Sequence, residues 1–361
     1  MSRAAATKTE LDSLTFLVPG RLDTLTGGYG YDRRIIDGLR ANGWSVLVSE
    51  LDASFPNPTA LALNDAARRF AEISDGGVAV VDGLAFGRMS RELEREAGRL
   101  RLLPIVHHPL AAESGLDPET AADYEAGERR ALATARAVIV TSRGTAQALD
   151  HYGVARDRIH VVEPGTDPAP IARGSGGAIV RLLTVATLIP RKGHDALIRA
   201  LDRVPQRNWT LTAVGSLDRH PPTVERLREL LHVCELDDRV LLAGEMEGDA
   251  LAAQYDRADV FVLPTLYEGY GMAVAEAIAH GLPVVSTATG AIAEIVQSNG
   301  EAGLLVEPDN VPQLSAALSA VIGDAALRSR LAAGARAARV RLSTWEQAST
   351  RFAEVVRRVQ R

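Results

Sequence analysis

Short apolar runs alternate with helical patterns along most of the chain, and this alternation restricts the fold more than any other feature. In the first half, a helical pattern at 31–43 follows the first apolar run, and the strand-like runs lie at 14–19, 45–51, 77–83, 102–109 and 135–142. Such runs, separated by amphipathic segments, are typical of parallel strands joined by crossover helices. The first half therefore predicts a parallel sheet covered by helices.

The same pattern starts again after residues 163–180, a segment rich in proline and glycine. Strand-like runs follow at 180–188, 209–216, 239–245, 259–265 and 282–289. We therefore predict an α/β protein with two doubly wound, Rossmann-like domains joined near residues 167–178. The predicted ranges are 1–170 for the N-terminal domain, 171–344 for the C-terminal domain and 345–361 for a last helix that packs back through Trp345 and Phe352.

Composition excludes several classes of protein. Cys234 is the only cysteine, so a disulfide framework and a cysteine-based metal site within one chain are excluded. The net charge of −6 argues against a protein that coats nucleic acid. No apolar run approaches the roughly 18 residues of a membrane-spanning helix, and the polar N-terminal segment lacks the apolar stretch of a signal peptide. A cytoplasmic location is expected.

The segment LYEGYGMAVAEAIAHGLPVVS, residues 266–286, combines two acids with a glycine-rich turn. A strand should end before it, and a helix should begin near Gly271 or Met272. The first amides of that helix have no internal partner and attract an anion. Glu268 before them and Glu276 after them could accept hydrogen bonds from hydroxyls. This order suits a ligand that contains a sugar, a phosphate and a ribose in sequence. The alternative is that Glu276 is solvated and Glu268 only stabilises the helix dipole.

Several motifs together resemble the retaining, GT-B-fold glycosyltransferases of family four, whose signature is E-x7-E. The resemblance rests on EGYGMAVAEAIAHGLPVV and on seven further segments, LTVATLIPRKGHDALIRAL, AVGS, VLLAGE, YDRADVFVLPT, GLLVEPDN, AVIVTS and RIHVVEPGTD. It covers the chain from about residue 15 to 340. The resemblance implies two domains that face a central cleft, a donor site in the second, an acceptor site in the first and a last helix that crosses back to the first.

The resemblance also implies roles for residues of the second half. Glu276 would bind the nucleotide ribose, and Glu268 would lie near the donor-sugar hydroxyls and the reacting carbon. Lys192 would neutralise the leaving diphosphate. Thr187 stands where the family usually has an arginine, and Arg191 is either its substitute or a surface charge. The remaining implied donor-binding residues are Gly215, Gly269, Tyr270, Gly271 and Met272.

The first half contains two further candidates. The stretch TGGYG at 26–30 resembles the glycine loop of the family, so Gly28 is expected near the donor and Gly27 near the acceptor. Arg33 stands where a dinucleotide fingerprint would need glycine, which disfavours a dehydrogenase. In VHHPL, His107 and His108 follow a strand; the resemblance implies that His107 lines the donor-sugar and acceptor pocket, by hydrogen bonding rather than proton removal. A purely structural role is the alternative for both histidines.

No cofactor and no metal are expected beyond the nucleotide-sugar substrate. The sequence contains no D-x-D pair, and no His/Cys cluster has metal-ligand spacing. The arginines of FGRMSRELEREAGRLR at positions 88, 91, 95 and 99 would share a helix face. That face would either contact anionic lipid headgroups as a peripheral membrane surface or form a solvated, salt-bridged surface, which the interspersed glutamates favour.

We therefore predict a retaining glycosyltransferase that moves a sugar from a nucleoside-diphosphate sugar to the hydroxyl of a lipid, a saccharide or a small molecule. A sugar-nucleotide epimerase of the same fold is one alternative. A catalytically weak nucleotide-sugar-binding protein is another, and Thr187 in place of arginine is its support. The base, the donor sugar, the acceptor, the linkage and the oligomeric state are not specified by these motifs.

Overall fold

The computed structural model describes residues 12–296 and 301–361, which form two compact units. The first unit consists of the described residues up to 111 together with 117–164 and 345–361. The second unit consists of residues 112–116 and 165–344. Each unit is built around its own six-stranded parallel sheet.

The sheet of the first unit has the strand order β2-β1-β3-β4-β5-β6. Its strands are β1 Ser13–Pro19, β2 Ser45–Leu51, β3 Val78–Asp82, β4 Arg101–Val106, β5 Val138–Val140 and β6 Ile159–Val161. The order reverses between β1 and β3, where the two strands pair through Thr15–Leu17. In open α/β sheets such a reversal opens a crevice at the carboxyl ends of the strands, where ligands bind.

In the described part of the first unit, seven α-helices cover this sheet. They are α1 Gly27–Ala41, α2 Ala60–Ala71, α3 Gly83–Phe86, α4 Ser90–Glu96, α5 Pro118–Ala133, α6 Arg143–Ala148 and α14 Trp345–Gln360. The prediction that a helix starts at residue 31 was wrong. Thr26 caps α1 by accepting a hydrogen bond from the Tyr29 amide at 3.3 Å, so the expected glycine loop is instead the first turn of the helix.

The last helix packs on the first unit, as predicted. α14 contacts α1, and Ser349 lies so close to Gly38 of α1 that a Cβ on Gly38 would be 2.5 Å from the Ser349 Cβ. Phe352 is fully buried and stacks on Phe16 of β1 at 6.4 Å between ring centroids. The missing side chain at position 38 therefore lets two helices approach closely enough to bury the aromatic residue.

The sheet of the second unit has the order β12-β11-β10-β7-β8-β9. Its strands are β7 Val180–Val185, β8 Trp209–Val214, β9 Val240–Gly244, β10 Val260–Leu263, β11 Val284–Thr287 and β12 Gly303–Val306. Here the order reverses between β7 and β10. Both predicted sheets and their parallel pairing are thereby confirmed.

The second unit has seven α-helices in its described part. They are α7 His194–Asp202, α8 Pro221–Val233, α9 Gly248–Arg257, α10 Met272–Ala279, α11 Ile292–Val296, α12 Val311–Gly323 and α13 Ala325–Ala338. The helical stretch predicted at 312–341 is broken at Asp324, which ends α12 and caps α13 through the Leu327 amide at 2.9 Å. Trp209 at the start of β8 lies fully buried in the core on one face of this sheet.

Two of the four arginines in the segment around α4 form ion pairs, and the choice between a lipid-contacting face and a solvated face stays a prediction. α4 spans only seven residues, so Arg88 lies before it and Arg99 after it. Arg88 is paired with Asp123 at 2.9 Å, and Arg99 is paired with Glu96 at 2.5 Å. Between residues 12 and 296 and from 301 onwards, no helix is long and apolar enough to cross a bilayer.

Candidate functional site

The strand reversal of the second unit brings two functional loops together. β7 and β10 are hydrogen-bonded neighbours, and the loops that follow them carry Lys192 and Glu268. Because the strands are parallel, both loops leave the same edge of the sheet. Residues 76 positions apart in sequence thus meet at the point where ligands bind in this class of sheet.

Close backbone contacts fix these two loops against each other. Gly193 has φ +70°, and a Cβ there would be 2.0 Å from the carbonyl oxygen of Pro264. The Leu266 amide donates to the Arg191 carbonyl oxygen at 2.7 Å, and the Thr265 hydroxyl lies 3.0 Å from the same oxygen. Only glycine fits this approach, which explains why glycine directly follows Lys192.

Lys192 and Glu268 form a buried ion pair. The Lys192 Nζ lies 2.6 Å from the Glu268 Oε2, and each side chain is 15% exposed. Burial lowers the pKa of Lys192, and the charge of Glu268 opposes this shift. A cation and an acid are therefore held together at the switch point, as a site for a charged and hydroxyl-bearing ligand would require.

Helix α10 begins without a side-chain cap. Its N-cap residue, Gly271, has φ +101° and has no side chain that could cap the first amides. A Cβ on Gly271 would lie 3.6 Å from the Glu268 Cγ, so the stem of Glu268 lies against the start of the helix. Gly290 makes the loop possible, because a Cβ there would be 1.6 Å from the Glu268 carbonyl oxygen. These uncapped amides can bind a phosphate group.

Glu276 lies one turn further along α10 and is half-buried. The Tyr255 hydroxyl donates a hydrogen bond to its Oε2 at 2.9 Å. Tyr255 is held by stacking on His280, with ring centroids 4.7 Å apart and planes 6° apart. Burial raises the pKa of Glu276, the Tyr255 hydrogen bond opposes this shift, and the charge of Asp167 adds to it. The carboxylate is therefore positioned through its Oε2, and among the described residues no hydrogen bond to its Oε1 is seen.

Arg191 is engaged in contacts within the second unit. Its Nε lies 3.1 Å from a carboxylate oxygen of Glu113, and its Nη1 donates to the Tyr267 carbonyl oxygen at 2.9 Å. Thr187 is half-buried in the loop after β7. Gly215 lies beside that loop, because a Cβ on it would be 1.9 Å from the Ala186 carbonyl oxygen. The structure thus brings Arg191, Thr187 and Gly215 to the same edge of the sheet as Lys192.

The turn between Glu268 and α10 presents mainly backbone. Tyr270 is buried and packs with Ala275 and Ala291, so its side chain belongs to the core. Met272 is half-buried at the first position of the helix, and Gly269 lies in the turn beside Gly290. Of the donor-binding residues predicted here, the main contribution would come from peptide amides.

In the first unit, His107 lies directly after β4, at the carboxyl end of the sheet, as predicted. Its ring touches the first turn of α1, where a Cβ on Gly28 would lie 3.3 Å from the His107 Cδ2. A Cβ on Gly27 would meet nothing within 4 Å. Gly28 and His107 are therefore in contact, whereas Gly27 faces open space; His108 is half-buried beside them.

Two buried carboxylates face His107. Its Nε2 lies 3.6 Å from the Asp32 Oδ1 and 3.7 Å from the Asp82 Oδ2. In the described part of the chain these three residues are the one group of His, Cys, Asp or Glu whose candidate ligand atoms all lie within 4.8 Å of one another. The distances and the burial are those of an ion-paired histidine, and the expectation that the reaction needs no metal stays a prediction.

Several of these partners were not found by sequence reasoning. Asp32 and Asp82 are separated from His107 by 75 and 25 positions, and Tyr255 is 21 positions from Glu276. Glu113 was also missed. Gly290 could have been found, since a glycine shortly after a predicted strand commonly marks a tight turn near a ligand.

Comparisons with known proteins match both halves of the chain. Residues 66–170 match the family model described as Glycosyltransferase Family 4, and residues 179–324 match the model described as Glycosyl transferases group 1. The chain belongs to glycosyltransferase family 4. The two matches cover most of the described part of both units, including the loops of Lys192, Glu268 and His107.

Curated relatives of this family 4 chain carry two different activities in their names. It is 34% identical over 246 residues to a D-inositol 3-phosphate glycosyltransferase of Xylanimonas cellulosilytica, a match that covers 63% of this chain and 58% of the relative. It is 26% identical over 323 residues to an MMP alpha-(1->4)-mannosyltransferase of Mycolicibacterium hassiacum, covering 86% and 77%. The match thus spans less than two thirds of the first relative's length.

Solved structures confirm the GT-B fold for this family 4 chain. Sucrose-phosphate synthase of Thermosynechococcus elongatus superposes with a TM-score of 0.80 at 23% identity, covering 96% of this chain and 98% of that one. The Anabaena protein HepE in complex with UDP-glucose gives 0.74 at 18% identity, covering 96% and 100%. At this identity the likeness establishes the fold, and substrates must be argued from the site.

Proposed function

We propose that this chain transfers a hexosyl group, with retention of configuration, from a nucleoside-diphosphate sugar to a hydroxyl acceptor. The observation that carries the proposal is the uncapped start of α10 between two acids, with the stem of Glu268 against Gly271 and Glu276 one turn further along. Family membership supports the class of reaction.

The donor would be read in the order sugar, diphosphate, ribose. The free oxygen of Glu276 accepts the ribose hydroxyls while Tyr255 holds the other. The amides of Gly271 and Met272 bind a phosphate of the donor. Glu268 accepts hydroxyls of the sugar, and Lys192 then shifts its charge from Glu268 towards the diphosphate.

The reaction breaks the bond between the anomeric carbon and the diphosphate oxygen, which keeps the electron pair. A bond forms between that carbon and the acceptor oxygen on the same face, and the acceptor proton moves to the leaving phosphate. Lys192 and the α10 amides stabilise the charge that develops on the diphosphate. Thr187 adds one neutral hydrogen bond, and Arg191 contributes if it leaves Glu113.

The nucleotide base is the part of the donor that the site residues constrain least. HepE has been solved in complex with UDP-glucose, so UDP-glucose is the first donor to test. The names of the curated relatives point to a phosphorylated polyol and a saccharide as acceptors. We propose an acceptor of this polyhydroxyl kind, bound by the first unit near Gly27, Gly28, His107 and His108, with lipid acceptors as the alternative.

A thermal-shift screen against nucleoside diphosphates and their sugars tests donor binding, because a ligand that binds only the folded state raises the unfolding temperature. Turnover is then measured with the stabilising donor and a panel of polyols, saccharides and lipids. A glycosylated product supports the proposal. Conversion of the donor to its epimer without transfer would identify an epimerase, and binding without turnover would identify a nucleotide-sugar-binding protein.

A further inference from the structure

Three buried side chains meet at the carboxyl ends of β3 and β4 in the first unit. Asp82 is the last residue of β3, and its strand partner in β4 is Ile105, two residues before His107. Asp32 approaches from the first turns of α1. Asp32 is 0% exposed and Asp82 is 2% exposed, so both carboxylates are shielded from water.

These groups have few other partners. In the described part of the chain, the two carboxylate oxygens of Asp32 have no hydrogen-bond partner, and the Nε2 of His107 has none either. Asp82 uses its Oδ1 to accept from the Leu84 amide at 2.7 Å, which leaves its Oδ2 towards the imidazole. Because a buried, unpaired carboxylate is strongly destabilising, the imidazole between them is the counter-ion that both require.

The remaining contacts give the ring one orientation. Tyr31 meets it edge-on, with centroids 5.4 Å apart and planes at 83°, and Tyr31 is itself held by a hydrogen bond to the Val162 carbonyl oxygen at 3.1 Å. Gly28 leaves room for the Cδ2–Nε2 edge. The ring therefore turns Nε2 into the unit, and Nδ1 is the one ring nitrogen left for a substrate.

The charges around the ring favour its protonated form. Burial alone would lower the pKa of His107, but Asp32 and Asp82 outweigh it and raise the pKa to about 10. Burial also raises the pKa of Asp32 to about 7, which His107 partly opposes. Among the described residues, the titratable side chains that face the His107 ring are Tyr31 and Asp32 from α1 and Asp82 from β3. The two aspartates are the carboxylates of this set. We therefore expect the ring to be an imidazolium at neutral pH.

We propose that Asp32 and Asp82 are positioning residues that hold His107 with Nε2 inward, so that it presents Nδ1–H to the substrate as a hydrogen-bond donor and never as a base. The inference rests on the proposed function, since it assigns His107 a role in that reaction. It deepens that function, because the acceptor proton must then leave through the diphosphate of the donor.

The test measures His107 directly and does not depend on turnover. Histidine-selective ¹³C and ¹⁵N labelling gives eight imidazole signals, and the signal missing in His107→Asn is assigned to His107. The wild type should keep this ring protonated through pH 8. Asp82→Asn and Asp32→Asn should each lower its titration midpoint by about 1–3 pH units, whereas Asp37→Asn, an exposed acid of the same helix, should not move it.

Activity adds a second readout. In His107→Asn the amide nitrogen takes the place of Nδ1, so this variant should retain measurable kcat where His107→Ala loses it. Asp32→Asn and Asp82→Asn should lower kcat with little change in the KM for the donor, and their pH–rate profiles should fall at high pH earlier than that of the wild type. Thermal unfolding shows whether each variant is folded. If Asp32→Asn does not fold, Asp82→Asn alone tests the proposal.

The outcomes separate the two proposals. A wild-type ring that titrates near pH 6.5, or carboxylate variants that leave its midpoint unmoved, would overturn the positioning role. A stoichiometric divalent metal whose removal by EDTA shifts the His107 signal would overturn it as well. A midpoint that moves as expected in a protein that transfers no sugar would instead overturn the proposed function and leave the ion-paired histidine in place.

Discussion

Replacing Glu276 by glutamine tests the donor site most directly. Tyr255 donates to the Oε2 at 2.9 Å, and in the described part of the chain no hydrogen bond to Oε1 is seen. A glutamine would keep its carbonyl oxygen towards the buried Tyr255 hydroxyl and turn its NH₂ towards the ligand. The variant therefore loses the charged acceptor for ribose but keeps a hydrogen-bond partner for Tyr255. Glu276→Ala would leave the buried Tyr255 hydroxyl unpaired.

The expected loss follows from the hydrogen bonds that are replaced. A hydrogen bond to a charged group contributes about 1.5–3 kcal/mol, and about 1.4 kcal/mol corresponds to a tenfold change in Kd. Because the glutamine NH₂ can still donate to a ribose oxygen, we expect affinity for UDP, or for the nucleoside diphosphate that the screen selects, to fall about 10- to 100-fold. Glu229→Gln, an exposed acid on α8, is the matched control.

Isothermal titration calorimetry from pH 5 to 8 checks both the size and the sign of the effect. Burial raises the pKa of Glu276 above its ordinary value of 4.5, so protonation removes the acceptor as the pH falls. Wild-type affinity should therefore weaken towards low pH by more than that of Glu276→Gln, which shares only the titration of the ligand. Equal affinities at pH 7, or parallel pH profiles, would refute the assignment of the ribose to Glu276.

Four further predictions concern the same site. Gly193→Ala should lower the unfolding temperature by several degrees, because its φ of +70° and a Cβ 2.0 Å from the Pro264 carbonyl oxygen would force the loops apart. The control Gly98→Ala, which has open space around it, should leave the unfolding temperature unchanged. Equal unfolding temperatures for the two variants would contradict the packing argument. Lys192→Met should reduce kcat about 100-fold or more, and Glu268→Gln should reduce kcat more than affinity for the nucleoside diphosphate. Steady-state kinetics and calorimetry check both, and unchanged kinetics for Lys192→Met would remove it from the site. Turnover should survive EDTA, whereas near-total loss with recovery on adding Mg²⁺ would show a metal requirement.

Much of the fold was predictable because its signals are local. Apolar runs separated by helical patterns indicated the parallel sheets, and Gly281 and Pro283 marked the end of α10, which the structure ends at Ala279. The start of α1 was missed because the glycines after Thr26 are typical of a loop, although Thr26 itself is a common type of N-cap residue. Propensity alone places Gly27 and Gly28 outside a helix, and the contact of Gly28 with His107, directly after β4, overrides it.

The amino-acid sequence by itself determined the fold class, the family and the residues that can carry charge or bind phosphate, because periodicity and motif spacing are properties of neighbouring residues. Only the tertiary structure decided which of those residues act together. Lys192 meets Glu268 because β7 and β10 are adjacent at a reversal of strand order. His107 meets Asp32 and Asp82 because helix α1 begins where strands β3 and β4 end. Such pairings depend on which strands are neighbours and on how closely glycines let loops approach, and neither is recorded in any short stretch of sequence.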